Sequence, residues 1–122
     1  MTKTIFLVDD EPELLAALRR IIEHDGYDVQ TAPSGDALFT LLDRKRPDLV
    51  ILDIGLPGMD GWEVRRRMRE DPRLATIPVI ALTAAAGSAR RDTAIATLGF
   101  ADYLEKPLSG DELLDRVRSV LA

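Results

Sequence analysis

Short apolar runs alternate with helical patterns along the chain, and this alternation restricts the fold more than any other feature of the sequence. Five segments have the composition of β-strands, and three of them are nearly continuous hydrophobic runs, as expected for strands covered on both faces. The predicted strands are 4–8, 28–32, 49–52, 77–82 and 101–105. Each is followed by a helical pattern. Five strand-then-helix units in this order predict a doubly wound α/β fold around a five-stranded parallel sheet.

Signals for helix starts and stops support the same division of the chain. Ser34 is the predicted N-cap of the second helix. Asp60 and Ser109 each precede a glutamate by three residues, which is the spacing of a capping box. Gly26 and Gly99 are predicted to end the first and fourth helices. The predicted helices therefore fill the intervals between the predicted strands.

The composition narrows the class of protein. A chain of 122 residues with 46% apolar and 30% charged residues predicts one globular domain over residues 1–122. The absence of cysteine excludes disulfides and thiolate metal sites. The N-terminus has neither a signal-peptide pattern nor a membrane span, which predicts a cytoplasmic protein without a membrane partner. The net charge of −5 argues against direct nucleic-acid binding as the main activity.

Polar residues mark the carboxyl ends of the strands that should line a ligand site. In an open parallel sheet of order 2-1-3-4-5, ligands bind beyond the strand ends between strands 1 and 3. Asp9 and Asp10 end the first strand, and Asp53 ends the third. Thr83 ends the fourth strand, and Lys106 follows the fifth. The sequence therefore predicts three carboxylates, a hydroxyl and an ammonium group around one crevice.

Three converging carboxylates should bind a hard cation or hold a proton. Oxygen ligands without histidine or thiolate indicate Mg²⁺, with Mn²⁺ as a substitute, and Mg²⁺ favours sites completed by a phosphate. A carboxylate can then serve as nucleophile to phosphorus, while Lys106 and Thr83 contact the phosphoryl oxygens. Taken singly, the same residues have simpler interpretations. Asp9 and Asp10 could cap a helix, Asp53 could form a turn, and Thr83 and Lys106 could be ordinary strand and surface residues.

Four fragments together resemble the receiver domain of two-component response regulators. They are "VDDE", "LDIGLPGMDG", "LTA" and "YLEKP", and each lies at a predicted strand end. The resemblance covers essentially the whole chain and implies the flavodoxin-like (βα)5 fold. It implies that Asp53 is the phosphoacceptor and that Asp10 is a direct Mg²⁺ ligand. Asp9 would assist through water, and the backbone carbonyl of Gly55 would supply a further ligand.

The resemblance also implies how the protein would signal. Thr83 would be the switch hydroxyl, Lys106 the phosphate-binding cation, and Tyr103 the aromatic residue that changes rotamer on activation. The Lys106–Pro107 peptide bond would be cis, as in many relatives. The side chains of Gly55 and Ala85 cannot hydrogen-bond an attacking water, so dephosphorylation should not be specially accelerated.

The expected phosphodonor is a phosphohistidine of a histidine kinase or phosphotransfer protein. The domain would catalyse its own phosphorylation and slow dephosphorylation without being a conventional turnover enzyme, and it would act through protein contacts. The sequence does not identify the kinase, the downstream target or the oligomeric state. It also leaves open whether this is a stand-alone regulator or one domain of a longer protein.

Other features receive simpler interpretations. The arginines at 65, 66, 67 and 69 are expected to form a solvated face that pairs with Glu63 and Glu70. The single histidine, His24, is interpreted as a residue near a helix end, where positive charge is favoured.

Two alternative functions share parts of the expected chemistry. A haloacid-dehalogenase-like phosphohydrolase normally has a second aspartate where this chain has Gly55. A flavodoxin-like flavin carrier would present hydroxyls and amides to a phosphate where this chain presents "DDEPE".

Overall fold

A computed structural model of the protein describes residues 2–84 and 89–122. In this part of the chain, five strands form one parallel sheet in the order β2-β1-β3-β4-β5. The strands are β1 Thr4–Val8, β2 Asp28–Ala32, β3 Leu49–Asp53, β4 Val79–Thr83 and β5 Asp102–Glu105. The predicted α/β fold and strand order are therefore confirmed.

A helix follows each strand. The helices are α1 Pro12–His24, α2 Gly35–Arg44, α3 Gly61–Glu70, α4 Ala89–Leu98 and α5 Gly110–Leu121. Three of them begin with a side-chain cap at the predicted residue. Ser34 accepts from the Ala37 N–H at 3.1 Å, Asp60 from Glu63 at 2.9 Å, and Ser109 from Glu112 at 3.1 Å.

The sheet is buried on both faces, which explains the continuous apolar runs in its central strands. In β1, the side chains of Ile5 and Leu7 join a hydrophobic cluster on one face, which includes residues of α1 and α5. Phe6 and Val8 join a second cluster on the other face, which includes residues of α2 and α3. All five residues of β1, of β3 and of β4 are buried. The two cores fix the strands and thereby the positions of the residues at their ends.

The fourth strand is shifted from its predicted range. It covers Val79–Thr83, whereas the sequence predicted 77–82. Pro78 has no N–H to donate, and the Ile77 N–H donates to the Leu74 carbonyl within the preceding turn. The shift makes Thr83 the last residue of the strand, as expected for a site residue.

The basic run on α3 is only partly the solvated face that the sequence predicted. Arg66 and Arg67 pair with Glu63 at the surface, as expected. Arg65 is buried, with 5% of its surface exposed, so the prediction was wrong for this residue. Its guanidinium group lies between α3 and the end of α4, 6.0 Å from the centre of the Phe100 ring.

The single tryptophan lies at the same junction. Trp62 is partly buried in the first turn of α3, and its ring meets that of Phe100 edge to face, with the centroids 6.0 Å apart and an interplanar angle of 84°. Among the helices of residues 2–84 and 89–122, none is long and apolar enough to cross a membrane.

Candidate functional site: an acidic cluster at the carboxyl edge of the sheet

The three predicted carboxylates lie together beyond the carboxyl ends of β1 and β3. Asp9 and Asp10 directly follow β1, and Asp53 is the last residue of β3. Each offers a carboxylate oxygen within 4.8 Å of those of the other two. The neighbouring register of β1 and β3 produces this convergence, since Val8 lies opposite Leu52. The predicted convergence of the three carboxylates is therefore present in the structure.

Lys106 supplies the positive charge at this cluster. Its Nζ atom lies 2.8 Å from Asp9 Oδ2 and 3.3 Å from Asp53 Oδ2, so the ammonium group bridges the two strands. A third carboxylate, Glu11 Oε1, lies 3.6 Å away. The side chain of Lys106 is largely buried, with 16% of its surface exposed. Because the ion pairs of Lys106 with Asp9 and Asp53 are shielded from water, their electrostatic attraction is stronger than that of surface ion pairs.

Backbone N–H groups orient the two buried carboxylates. Asp9 is fully buried, and its Oδ1 accepts a hydrogen bond from the Glu11 N–H at 2.9 Å. Asp53 is 5% exposed, and its Oδ1 accepts from the Gly55 N–H at 2.9 Å. Asp10 is exposed to solvent. Asp9 therefore bonds to the backbone just before α1, but the N-cap residue of the helix is Glu11, so the capping interpretation does not hold for Asp9. The other oxygen of Asp9 faces Lys106.

Burial and neighbouring charges shift the protonation of the site. Burial raises the pKa of the Asp53 carboxyl, and the Asp9 charge adds to this, although the Gly55 N–H and Lys106 act in the opposite direction. For Lys106, burial lowers the pKa, but the hydrogen bonds and charges of Asp9 and Asp53 outweigh it and raise the pKa above its usual value. Lys106 thus remains charged, and it only partly compensates the negative charge of the cluster.

The donor set fits a hard divalent cation. Three carboxylates and one ammonium group leave two negative charges uncompensated when all are ionised. The clustered donors are oxygen atoms from aspartates, which is the ligand type that Mg²⁺ and Mn²⁺ prefer. The spread of the three oxygens is close to the distance between opposite ligands of a bound Mg²⁺, about 4.2 Å. The cluster therefore has the ligand type and approximately the spacing that such an ion requires.

The remaining predicted residues belong to β4, to β5 and to the segments that follow these strands. Thr83 is buried at the end of β4, and its carbonyl accepts a hydrogen bond from the Lys106 N–H at 2.7 Å. The Lys106–Pro107 peptide bond is cis, as the resemblance implied. Tyr103, in β5, is 38% exposed, so its ring is directed away from the core. Ala85, expected to influence the phosphoryl lifetime, lies outside the described residues.

One residue of the site was missed in the sequence. Glu11 lies at the N-cap position of α1, and its side chain is 64% exposed beside Lys106. Its position directly after the acidic pair was a usable signal, because the same chain turn that presents Asp9 must bring the next carboxylate to the mouth of the site. Glu11 therefore adds a solvent-exposed negative charge beside Lys106.

Comparison with known proteins identifies the family. A family model described as the response regulator receiver domain matches residues 5–118. An uncharacterized 14.6 kDa protein from the sodA1 3′ region of Leptolyngbya boryana is 41% identical over 93% of this chain and 86% of its own length. The phosphate regulon transcriptional regulatory protein PhoB of Rhizobium meliloti is 40% identical over 99% of this chain, which spans 53% of PhoB.

A solved structure agrees with both sequence matches. The signal receiver domain of a signal transduction histidine kinase from Syntrophus aciditrophicus superposes with a TM-score of 0.89 and 32% identity, over 98% of this chain and 90% of that domain. The match includes every strand that contributes to the acidic cluster. The chain therefore belongs to the response regulator receiver domain family, whose members are phosphoacceptors in two-component signalling.

Proposed function

We propose that this chain is a phosphorylation-activated switch in which Asp53 accepts a phosphoryl group from a phosphohistidine of a histidine kinase or phosphotransfer protein. The observation that carries the proposal is the position of Lys106 Nζ between Asp9 and Asp53, two members of the cluster of three aspartates. Such a cluster brings together a carboxylate nucleophile and a fixed cation that can stabilise the oxygens of a transferring phosphoryl group.

The transfer requires no further protein nucleophile. A carboxylate oxygen of Asp53 attacks phosphorus, an O–P bond forms, and the P–N bond to the donor imidazole breaks. The electron pair of that bond returns to the imidazole nitrogen. Lys106 neutralises charge on the phosphoryl oxygens, and Thr83 donates a hydrogen bond to one of them. The domain accelerates its own phosphorylation and slow dephosphorylation by positioning and charge, so it is not a conventional turnover enzyme.

Asp9, Asp10 and Asp53 would hold a Mg²⁺ ion, together with the backbone carbonyl of Gly55, and Mn²⁺ could replace it. When bound, the ion supplies positive charge to the phosphoryl oxygens and lowers the repulsion between the carboxylates. Asp9 contributes in a second way because its Oδ2 holds Lys106 in the crevice. Phosphotransfer should consequently depend on Mg²⁺.

The output follows from the position of Thr83 relative to β5. Phosphorylation adds roughly one to two negative charges at Asp53. The Thr83 hydroxyl is expected to move toward the new oxygens, and Tyr103 is expected to rotate inward from its exposed position. The altered face of α4, β5 and α5 would then contact a protein target. We place this activity in the cytoplasm and assign it to residues 1–122 as one unit.

Chemical phosphorylation tests the proposal. Acetyl phosphate or phosphoramidate with Mg²⁺ should add one phosphoryl group in an acid-stable bond that hydroxylamine cleaves, as expected of an acyl phosphate. Peptide mass spectrometry should place it on Asp53. Asp53→Asn should lose the label, whereas Asp43→Asn, at an exposed aspartate of α2, should retain it. A label on Ser34, Thr83 or His24 would contradict the assignment.

A further inference from the structure

The C-terminal end of α4 has an arrangement of backbone hydrogen bonds that leaves specific carbonyl groups available. Gly99 has a positive φ of 70°. Its N–H donates to the Ala96 carbonyl at 3.1 Å, and the Phe100 N–H donates to the Ile95 carbonyl at 3.3 Å. These two bonds form a Schellman motif. Because the motif uses the carbonyls of Ile95 and Ala96, those of the next residues need other donors.

Two arginines of α3 provide the missing donors. Arg69 Nη1 donates to the Thr97 carbonyl at 2.6 Å. Arg65 donates through Nε to the Leu98 carbonyl at 3.1 Å and through Nη2 to the Gly99 carbonyl at 3.3 Å. The two side chains lie one turn apart on α3, so together they cover three successive carbonyls. The end of α4 is therefore bonded to α3 through side chains.

The burial of Arg65 makes this contact costly to break. Arg65 is 5% exposed, and no described carboxylate forms an ion pair with it. Its charge is offset by the carbonyl oxygens, by the partial negative charge at the end of a helix and by the face of the Phe100 ring. If the end of α4 moved away, a buried cation would lose most of this compensation. This end of the helix should therefore stay in place.

Few of the described side chains of α4 are buried. Among its described side chains, Ile95 is buried, Leu98 is partly buried, and the others are exposed. In α3, by contrast, Val64 and Met68 are fully buried. The buried and partly buried side chains among those described therefore lie in the C-terminal half of α4.

We propose that Arg65 and Arg69 form a strap that fixes the C-terminal end of α4 to α3, so that α4 pivots about this end. The inference rests on the proposed function for its stimulus, which is the movement of Thr83 toward phosphorylated Asp53. The strap itself exists before phosphorylation. The helix start, which follows Thr83 in the chain, would then move while the end stays bound.

Hydrogen exchange on the metal-free, unphosphorylated protein tests the strap separately from the proposed function. Arg65→Met keeps an unbranched apolar side chain in place of the arginine stem and removes the guanidinium donors. We expect the Gly99 and Phe100 amides to exchange at least about tenfold faster, the factor expected when a charged hydrogen bond is lost. Arg66→Met is the matched control, because Arg66 pairs with Glu63 at the surface, and exchange should be unchanged. Equal exchange in the parent and Arg65→Met, or equal acceleration in both variants, would overturn the strap.

Other variants cover the case in which Arg65→Met does not fold. Arg65→Lys keeps the charge but cannot reach two carbonyls in the same way, so the acceleration should be smaller yet measurable. Arg69→Met alters an exposed residue and should also accelerate exchange at the end of α4. Unchanged exchange in both variants would contradict the strap.

Beryllofluoride, a phosphoryl mimic, tests the pivot. In the parent protein, amide chemical shifts of residues 89–93 should change more than those of residues 97–100, and in Arg65→Met the difference should disappear. Similar shifts at both ends of the parent helix would refute the pivot. An absence of any shift around Asp53 in either protein would instead count against the proposed function.

Discussion

Replacement of Gly61 by alanine should damage both stability and phosphorylation, because α3 begins in contact with the backbone that carries the phosphoacceptor. Gly61 is the first residue of α3, and its N–H donates to the Ile54 carbonyl at 3.0 Å. A Cβ atom at this position would lie 2.6 Å from Ile54 Cα and 2.7 Å from the Asp53 carbonyl oxygen. Both atoms belong to the backbone and cannot rotate away.

The size of the effect follows from these distances. Carbon atoms in contact are normally about 3.5 Å apart, so α3 and the segment after Asp53 must separate by roughly 0.9 Å. Overpacking of this kind costs about 2–3 kcal/mol of unfolding free energy. For a domain of this size, Tm should fall by roughly 6–12 °C. Because a displacement near 1 Å can cost up to about 100-fold in rate, phosphorylation by acetyl phosphate should slow at least about tenfold.

Gly110→Ala is the matched control. Gly110 is the first residue of α5 and follows a capping serine, Ser109, as Gly61 follows Asp60. A Cβ at Gly110 would lie 3.3 Å from Ile21 Cδ1, the end of a flexible side chain. The unfolding free energy of Gly110→Ala should stay within about 0.5 kcal/mol of the parent value. Urea unfolding followed by circular dichroism measures stability, and labelling with acetyl phosphate measures phosphorylation.

The reasoning would be refuted if Gly61→Ala unfolded at the same urea concentration as the parent protein. It would also fail if Gly110→Ala lost as much stability, since the contact with backbone would then not be the cause. If Gly61→Ala were destabilised but phosphorylated at the parental rate, the packing of α3 would affect stability without determining the position of Asp53.

Three further predictions concern the site. Magnesium at about 10 mM should stabilise the protein by about 1.4 kcal/mol if Kd is about 1 mM, which should raise Tm. Asp10→Asn should abolish this rise in Tm. A magnesium titration of Asp10→Asn that matched that of the parent would exclude Asp10 as a ligand. The raised pKa of Asp53 means that its ionisation destabilises the metal-free fold, so Asp53→Asn should be more stable than the parent at pH 7. This gain in stability should disappear as the pH falls toward 3.8, the ordinary pKa of an aspartate. An equal gain at pH 7 and at pH 3.8 would contradict the prediction. Thr83→Ala should still be phosphorylated at Asp53, but beryllofluoride should no longer shift the amides of residues 89–108; equal shifts in both proteins would show that Thr83 does not couple the site to that face.

The fold was predictable because its strongest signals are local. Continuous apolar runs identify strands covered on both faces, and Ser34, Asp60 and Ser109 cap the helices that they were predicted to cap. The convergence of Asp9 with Asp53 was predictable from strand order alone, since both lie at carboxyl ends of neighbouring strands. The start of β4 was less predictable, because the turn that precedes it bonds Ile77 back to Leu74.

Arg65 could not be assigned from the sequence, because its burial depends on a contact with a distant helix. Within α3 it is one of several adjacent arginines, and the local pattern gives no reason to separate it from Arg66. The carbonyls of Leu98 and Gly99 that bind it come from more than thirty residues later in the chain. Glu11 differs in this respect, since its place beside Asp9 already indicated a position at the mouth of the site.

The edge-to-face contact between Trp62 and Phe100 gives the unlabelled protein an optical reporter. Because Trp62 is the single tryptophan, its emission arises at the junction between α3 and the residues that follow α4. Loss of the ring contact would expose the indole to water and shift the emission to longer wavelengths. Intrinsic fluorescence can therefore follow, in real time and without a label, whether the end of α4 remains on α3 during phosphorylation.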